Sequence, residues 1–298
     1  RSLERARELR ELEIVHDIVQ QMTSDLNRGA GVDLGAMVRR LPLDEQERAQ
    51  VEPALLSHER AYLREAKEAY GVLKEAAQYA IDSIDALGLR DMPPQELFIM
   101  VQQNPEFLER AEARFNEGSK PVQAQSHEMS QLNLQTLRRI APMLRPELCD
   151  DLRDRFHRAA YRGPYQGLGE WRQRYRRALD LEGLSVSQRE AVRAQFDTHR
   201  RQDDAFIDDI VDLAEKRREY RSFRAFTQRE AGDIEEQIET LQERRSRVAE
   251  AANSALNSLL TPELIAKIDD PELDKNRAAS ESGIMGGTVA SGGGGGGA

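Results

Sequence analysis

The residues best equipped for chemistry lie between Arg153 and Arg177. Eight arginines (Arg153, Arg155, Arg158, Arg162, Arg172, Arg174, Arg176 and Arg177) face only Asp154 and Glu170 there. Phe156, Tyr161, Tyr165, Trp171 and Tyr175 fall in the same stretch, and Gly163, Pro164, Gly167 and Gly169 mark a turn at its centre. Three readings are open. The stretch is a hinge whose aromatics pack between two halves of the chain and whose arginines pair with nearby carboxylates. Or it is a patch for protein clients, since both side-chain types offer amphipathic contact. Or it binds single-stranded nucleic acid by stacking and phosphate neutralisation. A net charge of −10 weighs against the third.

The other candidates are sparse. His16, His58, His127, His157 and His199 include no i, i+4 pair, and no H-E-x-x-H or Cys/His cluster occurs. His58 and His199 fall on apolar stripes. They are either seam histidines satisfied by a neighbour or a pair that meets to sense zinc or pH. Asp203-Asp204 and Asp208-Asp209 read as solvated faces, and Cys149 as a small buried residue. Phosphate-cradling glycine loops and the G-x-S-x-G nucleophile motif are absent. No cofactor is expected, and the chain is read as non-enzymatic.

The elements that position these groups are helices. Charged residues make up 32% of the 298 residues, against about 25% in an ordinary globular chain, and aromatics 5%. That balance suits long solvated helices with narrow apolar seams and argues against a large buried sheet. Val51, Leu55, His58, Tyr62, Ala66, Tyr70, Leu73, Ala77, Ile81 and Ile84 recur at three- and four-residue steps. So do Val192, Phe196, His199, Asp203, Phe206, Ile210, Leu213, Arg217 and Tyr220, with polar gaps at Asp203 and Arg217. Ile234, Ile238, Leu241, Arg245, Val248, Ala252, Ala255 and Leu259 form a third run. The last two runs predict an antiparallel hairpin over about 186–224 and 228–260, with Thr227 and Glu230 as a capping box. No apolar run is long enough to span a membrane.

The chain carries an internal repeat. Offset by 141, Leu43, Arg48, Val51, His58 and Arg60 fall on Leu184, Arg189, Val192, His199 and Arg201. Offset by 116, Leu144, Pro146, Glu147 and Leu148 fall on Leu260, Pro262, Glu263 and Leu264. The 25-residue difference is an insertion near 86–122, expected to add short helices at about 94–103 and 105–116. The expected organisation is an N-terminal helix and linker (1–40), a first hairpin unit (41–160), an Arg/aromatic connector (161–183) and a second hairpin unit (184–277). A Ser/Gly-rich tail (278–298) is expected to be disordered. The fold class is all-α with two tandem antiparallel long-helix hairpins.

Each unit is bracketed by helix-start strings. In Leu184-Ser185-Val186-Ser187-Gln188, Leu184 is a staple, Ser185 caps and Gln188 reaches back to the cap amide. Leu260-Thr261-Pro262-Glu263-Leu264 repeats the idea with Pro at the first helical position. Leu43-Asp44-Glu45-Gln46-Glu47 and Leu144-Arg145-Pro146-Glu147-Leu148 are the first unit's versions, and Arg145 cannot accept a hydrogen bond as a cap. Paired strings around a hairpin resemble the Spy/CpxP-like LTxxQ family of helical bacterial periplasmic proteins, best over 184–268. The resemblance implies an ATP-independent holdase or envelope stress-protective protein for unfolded or partly folded clients. It also implies a periplasmic location, which the chain itself, opening at Arg1 without a signal peptide, does not display. A cradle would form either as a homodimer or as an intramolecular pseudo-dimer. The expected client contacts are Arg158, Tyr161, Trp171, Tyr175, Arg221, Phe223, Arg224 and Phe226. Alternatives are an adaptor for one dedicated partner or a metal-responsive sensor using His58 and His199.

Overall fold

The computed structural model describes residues 5–12, 14, 29–93, 95–96, 100, 103–167, 169–219 and 229–270. Among the described residues all regular structure is helical. Residues 5–12 are helical, followed by α1 (Leu34–Arg39), α2 (Glu45–Ala86), α3 (Pro105–Ile140), a 3-10 turn (Ala141–Met143) and α4 (Pro146–Ala160). Then come α5 (Glu170–Asp180), α6 (Val186–Glu219), α7 (Arg229–Leu259) and α8 (Pro262–Ile268). Two long-helix hairpins, α2/α3 and α6/α7, give the expected all-α class. Each is followed by a helix that starts at a proline. The tail and the Thr227 cap lie outside the described residues.

The chain divides into two compact units, 1–168 with 205–244 and 169–204 with 245–298. This division departs from the tandem boundaries read from the sequence. Tyr161 and Tyr165 belong to the first unit's core, and α5 belongs to the second.

The helix starts follow their sequence. Asp44 Oδ1 accepts from the Glu47 amide at 2.8 Å, and Glu47 Oε2 from the Asp44 amide at 3.2 Å, which closes a capping box on α2. Ser185 Oγ accepts from the Gln188 amide at 3.2 Å, and Gln188 Oε1 from the Ser185 amide at 3.1 Å. Leu184 packs against the core of the second unit, as a staple requires. Ser185→Ala removes one of these bonds and is expected to cost about 1 kcal/mol, read as a lowered urea midpoint with an unchanged slope. Thr261 occupies the cap position of α8, but its hydroxyl makes no cap bond. It instead serves Glu263, whose carboxyl it holds below the usual range. Arg145 has no cap bond either. Its amide and guanidinium donate to Glu47 at 2.9 and 2.5 Å, and its Nη2 donates to the Pro42 carbonyl at 2.9 Å. The first unit's two helix-start strings are therefore bonded to each other.

The insertion lengthens the first hairpin rather than adding a separate helix at 105–116. α3 begins where Asn104 Oδ1 accepts from the Phe107 amide at 3.0 Å, with Pro105 in the first turn, and continues through Gly118 and Pro121 to Ile140. An interior proline costs about 3 kcal/mol. The seam of Phe107, Gln125 and Met129 buried along the same helix offsets it. Gly118 is required by packing: a Cβ there would lie 2.6 Å from the Tyr79 ring, whose hydroxyl donates to Glu117 at 2.9 Å.

In the first unit, Val51, Leu55, Leu137, Ile140, Leu152 and Phe156 meet Ile207 and Val211 in one core. Ile210, Ile234 and Ile238 form a smaller cluster of that unit. In the second, Trp171, Tyr175, Val192, Phe196, Ala252, Leu256 and Ile268 pack together. No described helix is long and apolar enough to cross a membrane.

Candidate interaction surface

The Arg/aromatic stretch is consumed by the fold. Phe156 and Tyr175 are fully buried, and Tyr161, Tyr165 and Trp171 nearly so. The expectation that Tyr161, Trp171 and Tyr175 form an exposed client patch is corrected by this burial. Tyr161 donates to Glu215 at 2.8 Å, Tyr165 to Asp154 at 2.8 Å and Tyr175 to the Ala252 carbonyl at 2.9 Å. An aromatic body with one satisfied polar tip is a good core residue. The arginines are likewise placed. Arg158 is exposed but pairs with Asp154, Arg153 pairs with Asp208 at 2.8 Å, and Arg174 with Asp269 at 2.8 Å. Arg177 donates to the Ile268 carbonyl at 2.7 Å, fixing α8 on α5. Arg221, Phe223, Arg224 and Phe226 lie outside the described residues.

The two polar gaps in the seams of α6 and α7 meet. Arg245 Nε donates to Asp203 Oδ1 at 2.7 Å, and Arg172 Nη2 donates to Asp203 Oδ2 at 2.5 Å and to Asp204 at 2.8 Å. Arg172 and Asp203 are each about 1% exposed. The Arg172 guanidinium also lies 5.4 Å from the Trp171 ring centroid. So Asp203-Asp204 is an internal ionic cluster of the second unit, not a solvated face.

The histidines have separate surroundings. His58, in the first unit, lies 3.0 Å from Thr136 Oγ1, and burial pushes its pKa down to about 4. His199, in the second, is edge-on to Trp171, and burial lowers its pKa too. Among the described residues no cluster of three or more His, Cys, Asp or Glu is placed to hold a metal ion.

Buried carboxylates that the periodicity did not single out tie the first unit together. Glu215 accepts from Ser130 at 3.2 Å, Gln131 at 3.1 Å and Tyr161 at 2.8 Å. Glu59, 3% exposed, is held by Arg5 and Arg39.

An exposed apolar face lies on α2. Its apolar stripe is buried at Val51, Leu55, His58, Tyr62 and Ala66, then emerges. Tyr70 is 56% exposed, Ile81 45% and Ile84 40%, and Ala77 between them is exposed as well. These positions share one helical face over about 21 Å. Lys74, Glu75, Asp82 and Asp85 are exposed among them. Phe115 of α3, 59% exposed, lies close to Glu117, which bonds Tyr79 at the same end of the hairpin. Among the described residues, four of the six exposed large hydrophobics (Tyr70, Ile81, Ile84 and Phe115) thus lie on the first hairpin, the others being Ile14 and Val186.

No family model, curated protein or solved structure matches this chain.

Proposed function

We propose that this chain is a non-enzymatic, ATP-independent holdase that binds apolar segments of unfolded or partly folded proteins. Its working surface is the emergent stripe of α2, not the Arg/aromatic stretch. The supporting observation is that Tyr70, Ala77, Ile81 and Ile84 continue a core seam out into solvent. Contiguous exposed apolar surface of this kind marks interaction sites. The interleaved charges keep it solvated and give adaptable contact to clients of mixed sequence. The capping strings and the hairpin repeat support a placement with the LTxxQ-type envelope proteins, and hence a periplasmic location, which cell fractionation would test.

The assay is light scattering from an unfolding client without ATP, at substoichiometric to equimolar chain. The triple variant Tyr70→Ser, Ile81→Ser and Ile84→Ser alters only exposed positions. It is expected to keep its helical content while losing most of the suppression, by about fivefold or more in the ratio required, since each buried apolar side chain is worth roughly 1.5–3 kcal/mol. Normal aggregation with the wild-type chain across several clients would sink the reading. The straight, single-face geometry of the stripe also suits one dedicated helical partner. That adaptor reading would be preferred if generic clients aggregate unhindered while one cellular protein is retained by the wild type and lost by the triple variant.

A further inference from the structure

The α2 seam beyond Ala66 is exposed at Tyr70, Ala77, Ile81 and Ile84 and half-buried at Leu73, and before Ala66 it is flanked by another element. Helical residues 5–12 run alongside α2 in the same direction: Arg5 pairs with Glu59, Glu8 with Arg60 at 3.7 Å and Glu11 with Lys67 at 2.6 Å. Leu12 packs against the cluster that Tyr62 and Ala66 form with Ala30, Ala69 and Met129. It also lines a cavity of about 20 Å³ shared with His58, Glu59 and Tyr62. None of residues 5–12 is itself fully buried, whereas Glu59, Tyr62 and Ala66 beneath them are. The attachment therefore combines two exposed ion pairs, one pair to the buried Glu59, and the packing of Leu12.

We infer that residues 5–12 are a releasable strap, an autoinhibitory contact that shields the seam around Tyr62 and Ala66. Its release joins that segment to Tyr70, Ala77, Ile81 and Ile84 as one longer client surface. This rests on the holdase reading for its consequence, but not for the release itself. Two of the pairs, Glu8 with Arg60 and Glu11 with Lys67, are exposed, contribute little each and weaken as salt screens them, whereas the buried Glu59 keeps Arg39 as a partner when Arg5 leaves. Elements held by few buried apolar contacts open locally well below the global unfolding free energy. Charged attachment lets the strap leave without unfolding the α2/α3 hairpin, and an apolar client competes with Leu12 for the same ground.

The test uses the full chain. Hydrogen exchange at residues 6–12 is compared with residues 51–66 of α2 at about 0.05 M and 0.5 M NaCl. Wild type, Glu11→Lys and the swap Glu11→Lys with Lys67→Glu are measured side by side. The expected result is that amides 6–12 exchange about fivefold faster at the higher salt, the combined effect of the two exposed pairs. Glu11→Lys should raise the rate at low salt by about threefold, and the swap should restore it. Suppression of client aggregation should rise in Glu11→Lys and return in the swap. Exchange at 6–12 that is as slow as in α2, and indifferent to salt and charge reversal, would overturn the strap. Fast, charge-dependent exchange with unchanged suppression would overturn the shielding role while leaving the stripe intact, because the serine triple variant would still lose activity. A chain inert in every strap state would instead condemn the holdase reading and the shielding with it.

Discussion

Arg172→Ala is expected to destabilise the second unit by about 3–5 kcal/mol, the cost of leaving a buried charge without its partner. Asp203, about 1% exposed, faces Arg172 on one oxygen and Arg245 on the other. With Arg172 gone, one side of that carboxylate is left in a site closed to water. Trp171 loses the guanidinium at its ring as well. Arg172→Lys keeps the charge but not the fork in which Nε and Nη2 both reach Asp203, so it should recover only part of the loss. Urea unfolding followed by circular dichroism gives the free energies. Trp171 is the chain's single tryptophan, so its emission reports this core without a label. A midpoint for Arg172→Ala equal to that of the exposed neighbour variant Gln173→Ala would mean that the cluster contributes nothing net.

The second large effect is on acidification. His58 is buried beside Thr136, and burial is the chief cause that lowers its pKa from 6.5 to about 4. Arg39 pushes the same way and Asp33 opposes it. The folded state therefore holds neutral imidazole where the unfolded chain takes up a proton. The stability that follows is complete above the unfolded value of 6.5. It is lost as pH falls from there toward 4 and changes no further below. Between pH 7.5 and 4.5 this one group removes about 2–3 kcal/mol. His58→Gln keeps a polar neighbour for Thr136 and cannot titrate. The difference in unfolding free energy between the two pH values should accordingly be smaller in the variant by that amount. Equal pH slopes for wild type and His58→Gln would refute the assignment. Carboxylates that also titrate in this range cancel in the comparison.

Much of the scaffold was legible because it depends on local rules. The periodicities of 51–84, 192–220 and 234–259 gave long helices, and Ser185 with Gln188 gave a cap that needs only three residues to form. The repeat was legible too, since a matched His and matched Arg cannot arise from amphipathicity alone. The site was harder. A stripe such as Val51 to Ile84 states that a face is apolar, but not where along it a partner stops. That depends on α3 and on residues 5–12, which come from elsewhere in the chain. The Arg/aromatic stretch misled for the opposite reason. Tyr161, Trp171 and Tyr175 suit a surface or a core equally well, and their partners Glu215, Phe196 and Ala252 are remote in sequence. Asp203 and Arg245 interrupt two seams predicted to face each other, and opposite charges in facing gaps imply a buried pair.

The bond between Glu47 and Arg145 bears on the order of assembly. The cap at Ser185 closes over three residues, so α6 can nucleate with nothing else in place. Glu47 closes its box on Asp44 equally locally, but its further bonds to Arg145 span 98 residues. That closure carries a loop entropy cost that grows with length, and is recovered only once α2, α3 and the start of α4 are docked. A chain emerging from the ribosome makes the first hairpin's residues before the second's. Yet the hydrogen bonds at Ser185 and Gln188 that start the second hairpin are all local, while those of Glu47 are complete only when the first hairpin's far end arrives. Although the two hairpins descend from one pattern, they are thus set to mature on different clocks.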